Sequence, residues 1–148
     1  MIIRKARKED FQEYLKLKRK EHDDYSKIIN EKIKNLGRSI IKKDFDEFLS
    51  SKKNIIIIVE ADDGLIGYIH GEFYNNFKIG YISDIFVLKE FRQKGIATKL
   101  IESFIKFLKK RKYKILKLDV NMKNKNAIKI YKNWGFRPES IGMTKKIA

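Results

Sequence analysis

The chain has 148 residues, 43% of them hydrophobic and 12% aromatic, with no cysteine and a single proline. That suits one domain with its own core and excludes disulfides, thiolate metal sites, a cysteine nucleophile and a disordered chain. Lys and Arg outnumber Asp and Glu by 35 to 19, a formal charge of +16, which disfavours polycationic partners at long range and attracts polyanions.

In chain order, Ile2 to Lys5 reads as a short strand. A helix follows from about Glu9, with Phe11, Tyr14, Leu15 and Leu17 on one side. Two weaker helical patches are predicted next, around Ile28, Ile29, Ile33 and Leu36, and around Ile40, Ile41, Phe45, Phe48 and Leu49, with Gly37 as a stop between them. Asn54 to Ala61 holds Ile55-Ile56-Ile57-Ile58-Val59, a β-branched run suited to a buried strand. Asp62-Asp63-Gly64 is a turn signal, Leu65 to Tyr74 the return strand, and Lys78 to Val87 a third strand after Asn75-Asn76. Gly95 to Arg111 is the clearest helix: Ile96, Leu100, Ile101, Phe104, Ile105 and Leu108 form a stripe opposite Lys99, Glu102, Lys106 and Lys109. Ile115 to Asn121 is a strand, Asn124 to Asn133 a helix closed by Gly135, and Phe136 to Ile147 one or two further strands. The alternation predicts an α/β (α+β layered) domain spanning the chain. No stretch is long and apolar enough to cross a bilayer, and Met1 to Lys5 lacks the apolar run of a signal peptide, so a cytoplasmic protein is expected.

The most informative segment joins the third strand to the clearest helix. A helix start carries unpaired N–H groups and the positive end of the macrodipole. Gly95 lets an anion approach the backbone, and Arg92 and Lys94 add charge, so a pyrophosphate is the natural guest. The loop is not a Walker A motif, which needs a second glycine and a Lys-Ser/Thr pair.

Arg92-Gln93-Lys94-Gly95-Ile96-Ala97 resembles the Arg/Gln-x-x-Gly-x-Gly/Ala signature of the GNAT acetyltransferases. Downstream, Val120-Asn121-Met122-Lys123-Asn124 through Tyr131 to Gly135-Phe136 resembles the second block of that family. The resemblance covers essentially the whole chain. It implies a mixed, mostly antiparallel sheet flanked by helices and splayed between the strands ending near Val87 and Val120. It implies acetyl-CoA as co-substrate and acetyl transfer to a primary amine by direct attack; with no cysteine and only His22 and His70 as histidines, no metal is expected.

The implied cofactor contacts are the backbone N–H groups from Gln93 to Thr98, through Lys94, Gly95, Ile96 and Ala97, with Arg92 and Lys94 as charge support. Ile85, Phe86 and Val87 would present backbone to the pantetheine arm. Asn124 is a natural helix N-cap and, by resemblance, also nears that arm. Tyr131 stands where the family keeps its general acid; as a bland alternative it is an aromatic packing on the sheet. A phenol of pKa about 10 can protonate a leaving thiolate whose thiol has a pKa of about 8.5.

For a base, Asp119 matches a position used by some members that act on protein N-termini, although a strand Asp paired with a lysine explains it equally well. Asp84 follows Ser83, which stands where other members often have Glu, and by strand alternation Asp84 faces away unless a bulge turns it. The acceptor is expected to be an amine-bearing peptide or protein rather than a polyamine, given the net charge. The alternative class is a non-catalytic, basic nucleic-acid- or ribosome-binding module. Its support is the +16 charge and the run Lys109-Lys110-Arg111-Lys112, but the abundance of Lys, Ile and Asn offers composition bias as a plainer source, and nucleic-acid binding is expected to be weak and non-specific.

Overall fold

A computed structural model describes residues 1–148. Five strands form one open sheet in the order β1-β2-β3-β4-β5. They are β1 (Ile2–Lys5), β2 (Asn54–Ala61), β3 (Gly64–Tyr74), β4 (Ile79–Val87) and β5 (Ile115–Leu118). Neighbours run antiparallel except β4 and β5, which are parallel. The helices are α1 (Phe11–Ile29), α2 (Arg38–Ser50), α3 (Ile96–Lys110) and α4 (Lys125–Asn133).

Two apolar clusters explain the strand patterns. Phe11, Tyr14, Leu15, Leu17 and Phe45 of α1 and α2 pack on Ile56, Ile58, Tyr68 and Phe86. On the opposite face Leu100, Ile101, Phe104 and Leu108 of α3 pack on Ile57, Val59, Ile69, Phe73 and Ile82. Strand β2 is covered on both sides, which is why Ile55 to Val59 is apolar without alternation and entirely buried.

Four expectations are corrected. The patch around Ile28 to Leu36 does not form its own helix. Instead α1 runs on to Ile29, and Asn30 ends it in the left-handed conformation (φ 54°), with the Glu31 N–H donating to the Ser26 carbonyl at 3.2 Å. Gly37, expected as a stop, is the extended residue that precedes α2. Strand β5 ends at Leu118, short of Asn121, because the Asn121 side chain accepts the Lys123 N–H at 2.9 Å and its carbonyl accepts the Asn124 N–H at 2.9 Å, turning the chain off the sheet.

The return strands expected over Phe136 to Ile147 do not form; Ile141, Met143 and Ile147 are exposed. The alternation there is real, but a half-buried strand also needs a partner. The outer edge of β5 offers only four residues, and Pro138 has no N–H to give.

Candidate active site

Strands β4 and β5 pair from Ile79/Ile115 to Ile82/Leu118 and no further. Beyond that point β4 continues to Val87 beside β3 alone. The Leu88 N–H bonds the Ile66 carbonyl at 2.9 Å, so residue 88 turns its N–H toward β3. Antiparallel alternation then turns the N–H and C=O groups of Val87 and Ile85 outward, to the open edge. The Phe86 side chain packs in the cluster beneath α1. Arg92 takes one of the exposed groups: its Nε donates to the Val87 carbonyl at 2.8 Å and its Nη2 to Asp24 at 2.7 Å. Arg92 is therefore a strap between α1 and β4, and the Val87 N–H is left facing the gap.

The edge leads into the start of α3. Gln93 and Gly95 have positive φ, 60° and 74°, and a Cβ placed at Gly95 would meet nothing within 4 Å. The first helix bond is from the Lys99 N–H to the Gly95 carbonyl at 3.1 Å. The N–H groups of Gln93, Lys94, Gly95, Ile96, Ala97 and Thr98 have no acceptor in the protein. Left-handed residues interleaved in such a loop point successive N–H groups into one concavity, and the helix dipole adds to it. These residues suit a pyrophosphate, and the outward amides of Ile85 and Val87 suit an amide-bearing arm. The donors an extended CoA needs are thus present and unspent.

Helix α4 begins at Asn124, whose side chain accepts the Ala127 N–H at 3.2 Å. It ends in a Schellman motif. The Phe136 N–H reaches the Tyr131 carbonyl and the Gly135 N–H the Lys132 carbonyl, each at 3.0 Å, with Gly135 left-handed at φ 90°. This folds Trp134 and Phe136 onto the Tyr131 ring, at centroid distances of 5.8 and 6.0 Å. Burial raises the Tyr131 pKa above its ordinary value, and the Asp84 carboxylate adds to the rise. Tyr131 is therefore a neutral phenol within the field of Asp84.

Asp84 faces that way because of a bulge. His70 pairs with Asp84 and Gly71 with Ile82, so Ser83 is an extra residue in β4. The bulge turns Asp84 to the α1 side, where Lys18 Nζ binds its Oδ2 at 3.1 Å. Ser83 instead donates from Oγ to the His70 carbonyl at 3.3 Å. Asp119 is placed differently. It lies just past β5, and its carboxylate accepts the Tyr81 hydroxyl. Asp84 thus faces α1 and adds to the raised pKa of Tyr131, while Asp119 is tied to another phenol.

The sequence reading missed the groups behind Asp84. Lys18 Nζ also binds Glu21 Oε2 at 3.0 Å, and Glu21 accepts the Tyr68 hydroxyl. Burial, then the nearby Asp84 charge, raises the Glu21 pKa. The one signal for this pair was a Lys and a Glu three apart on a charged helix, which is also how a solvated face looks.

Comparison with known proteins agrees with this fold. The acetyltransferase (GNAT) family profile matches residues 3–136. An uncharacterized N-acetyltransferase of Archaeoglobus fulgidus is 27% identical, covering 96% of this chain and 97% of its own length. One from Methanocaldococcus jannaschii is 31% identical over 94% of this chain, which spans 62% of that protein. Among solved structures, an aminoglycoside N-acetyltransferase, AAC(6')-Iy, in complex with a bisubstrate analogue, CoA-S-monomethyl-acetylneamine, superposes with a TM-score of 0.79 at 22% identity, covering 99% of this chain and 98% of that one. The chain belongs to the acetyltransferase (GNAT) family. It is an acetyl-CoA-dependent N-acetyltransferase, so the non-catalytic basic module is set aside. No helix is long and apolar enough to cross a membrane.

Proposed function

We propose that the chain transfers an acetyl group to a primary amine at the mouth of the β4–β5 gap, with Tyr131 as general acid and Asp84 as the carboxylate that receives the amine. The observation that carries this is the open edge of β4: past Ile82 it has no strand partner on that side, it runs on to the six free N–H groups from Gln93 to Thr98, and Asp84 on the same strand adds to the raised pKa of Tyr131.

The backbone of Gln93 to Thr98 binds the pyrophosphate of acetyl-CoA, with Lys94 adding charge at the loop and Arg92 holding the loop against α1. Ile85 and Val87 hold the pantetheine arm, near which Asn124 caps α4. When bound, acetyl-CoA supplies the acetyl group as a thioester. The outward Val87 N–H is the donor placed to stabilise a developing oxyanion. Asp84 accepts the ammonium proton of the acceptor, which frees the amine lone pair for attack. As the C–N bond forms and the C–S bond breaks, the nitrogen sheds its second proton to water, Tyr131 gives its proton to the departing sulfur and is restored from solvent, and Asp84 releases the proton it took. Asp119 orders Tyr81 on the acceptor side and takes no proton.

The acceptor carries one reactive ammonium. An N-alpha-acetyltransferase of Sulfurisphaera tokodaii, 29% identical over 66% of this chain and 65% of its own, is among the relatives, and a charge of +16 opposes a polycation. Both favour a peptide or protein amine over a polyamine.

The test is acetyl-CoA-dependent CoA release with a free-amine hexapeptide, an N-terminally blocked hexapeptide with one Lys, spermidine and neamine. Turnover is expected with a peptide. Tyr131→Phe, which keeps the ring and its packing, should lower kcat on the order of 10²-fold with acetyl-CoA affinity nearly unchanged. Wild-type kcat in Tyr131→Phe would show that the ring is packing only.

A further inference from the structure

Asp84 and Tyr131 belong to a larger group of titratable side chains, the rest of which the transfer reaction as described leaves unused. Lys18 and Glu21 come from α1, Tyr68 and His70 from β3, Asp84 from β4 and Tyr131 from α4. Tyr14 of α1 packs edge-on against Tyr68 at 5.1 Å. Lys18 is the only cation bonded to either carboxylate: its Nζ lies 3.0 Å from Glu21 and 3.1 Å from Asp84, and 5.5 Å from the centre of the Tyr68 ring.

The other members are neutral at pH 7. Burial pushes the phenols of Tyr14, Tyr68 and Tyr131 above their ordinary value and pushes His70 below its own. His70 is further fixed by Asn54 at 3.1 Å and by the Phe48 ring at 4.2 Å. One ammonium therefore faces two carboxylates. With both carboxylates ionised, the group is short by one positive charge. Asp84 is the more open of the two, its side chain 32% exposed against 21% for Glu21, so the deficit is presented at Asp84.

We propose that Glu21, acting through Lys18, is a positioning residue that keeps the Asp84 site one cation short, so that the acceptor is drawn in as its ammonium ion. This rests on the reading of Asp84 and Tyr131 as the reacting face. Without Glu21, Lys18 would neutralise Asp84 and the incoming cation would meet a closed ion pair. With it, Lys18 is shared, and the second cation completes a group of two ammonium ions and two carboxylates. The group also filters by charge number: one ammonium balances it, and a second on the same acceptor would meet Lys18 with no anion left for it. Protonation of Glu21 removes the deficit, so acceptor affinity falls with pH across the range in which Glu21 takes up its proton.

The decisive variant is Glu21→Gln, which keeps acceptors for the Tyr68 hydroxyl and Lys18 and removes only the charge. With the free-amine hexapeptide, its acceptor KM should rise about tenfold, the order of one unit charge felt over roughly 10 Å at an effective dielectric of about 20. Its kcat should stay within about twofold, and the acid-side rise in KM of the native enzyme should vanish. An activity-independent arm is a carbon-13 NMR titration of the Glu21 carboxyl. Its midpoint should lie lower in ethylammonium chloride than in sodium chloride at equal ionic strength, because a bound cation favours the carboxylate. Native acceptor KM in Glu21→Gln, or identical titrations in the two salts, overturns the proposal. If Tyr131→Phe turns over normally while Glu21 still responds to ethylammonium, it is the placement of the acid that is wrong and not the charge deficit.

Discussion

The two halves of the site are built from different material. The loop and helix start at Gln93 to Thr98 offer backbone N–H groups, so their geometry is a matter of φ and ψ. The group around Asp84 is made of side chains from four elements, and its properties depend on single charges and hydroxyls. The first should tolerate side-chain changes and fail when its backbone shape or sign of charge is altered. The second should keep its shape under conservative changes and lose only function.

The largest effect should come from Gly95→Glu. Gly95 is left-handed with open space around it, so a glutamate is strained there by about 1–2 kcal/mol and places a like charge against the pyrophosphate. Acetyl-CoA affinity should fall by about 10³-fold, read by calorimetry; binding within tenfold of native would show that the phosphates lie elsewhere. Tyr131→Phe comes next, with its kcat loss and intact cofactor affinity. Lys94→Gln should be mild, about threefold in acetyl-CoA affinity and shrinking as salt screens the exposed charge. A hundredfold loss would mean that a side chain and not the backbone dominates this half.

The smallest effect is on stability. Because burial and Asp84 raise the Glu21 pKa, the folded state holds that proton more tightly than the unfolded chain does. Its stabilising contribution is therefore complete below the ordinary Glu value of about 4.3 and is lost as pH rises through the raised value. Asp10, lowered by its bond to Arg4, changes stability only in more acid solution. Lys18, raised above the ordinary ammonium value, does so only in alkali. Between these limits the melting temperature of Glu21→Gln should gain on the native protein with rising pH; a constant difference from pH 4 to pH 8 would remove Glu21 as the cause.

Much of this architecture could be read before folding. Period and turn chemistry located β2, β3, β4 and α3, and Gly95 after a basic strand-end marked the loop. Other features depend on partners that are distant in the chain. Asp84 faces α1 only because β4 carries one residue more than β3 between their paired positions, and a register offset has no local signature. Glu21 has the neighbours of a solvated helical glutamate, and its burial follows from where α1 crosses β3. Ile141, Met143 and Ile147 alternate like a strand, yet pairing requires an edge to accept them, and β5 is four residues long. Arg92 read as a phosphate ligand because charge is visible in a sequence, while its strap to Asp24, 68 residues away, is not.

The Schellman closure of α4 bears on how Tyr131 spends entropy. A phenol on a mobile loop would have to be immobilised in each turnover. Here Tyr131 supplies the carbonyl that the Phe136 N–H caps, and its ring is held between Trp134 and Phe136. Its freedom is surrendered once, on folding, as part of helix termination. Gly135 thereby fixes the Tyr131 ring without touching it, since the left-handed turn that stops the helix also folds Phe136 back onto that ring.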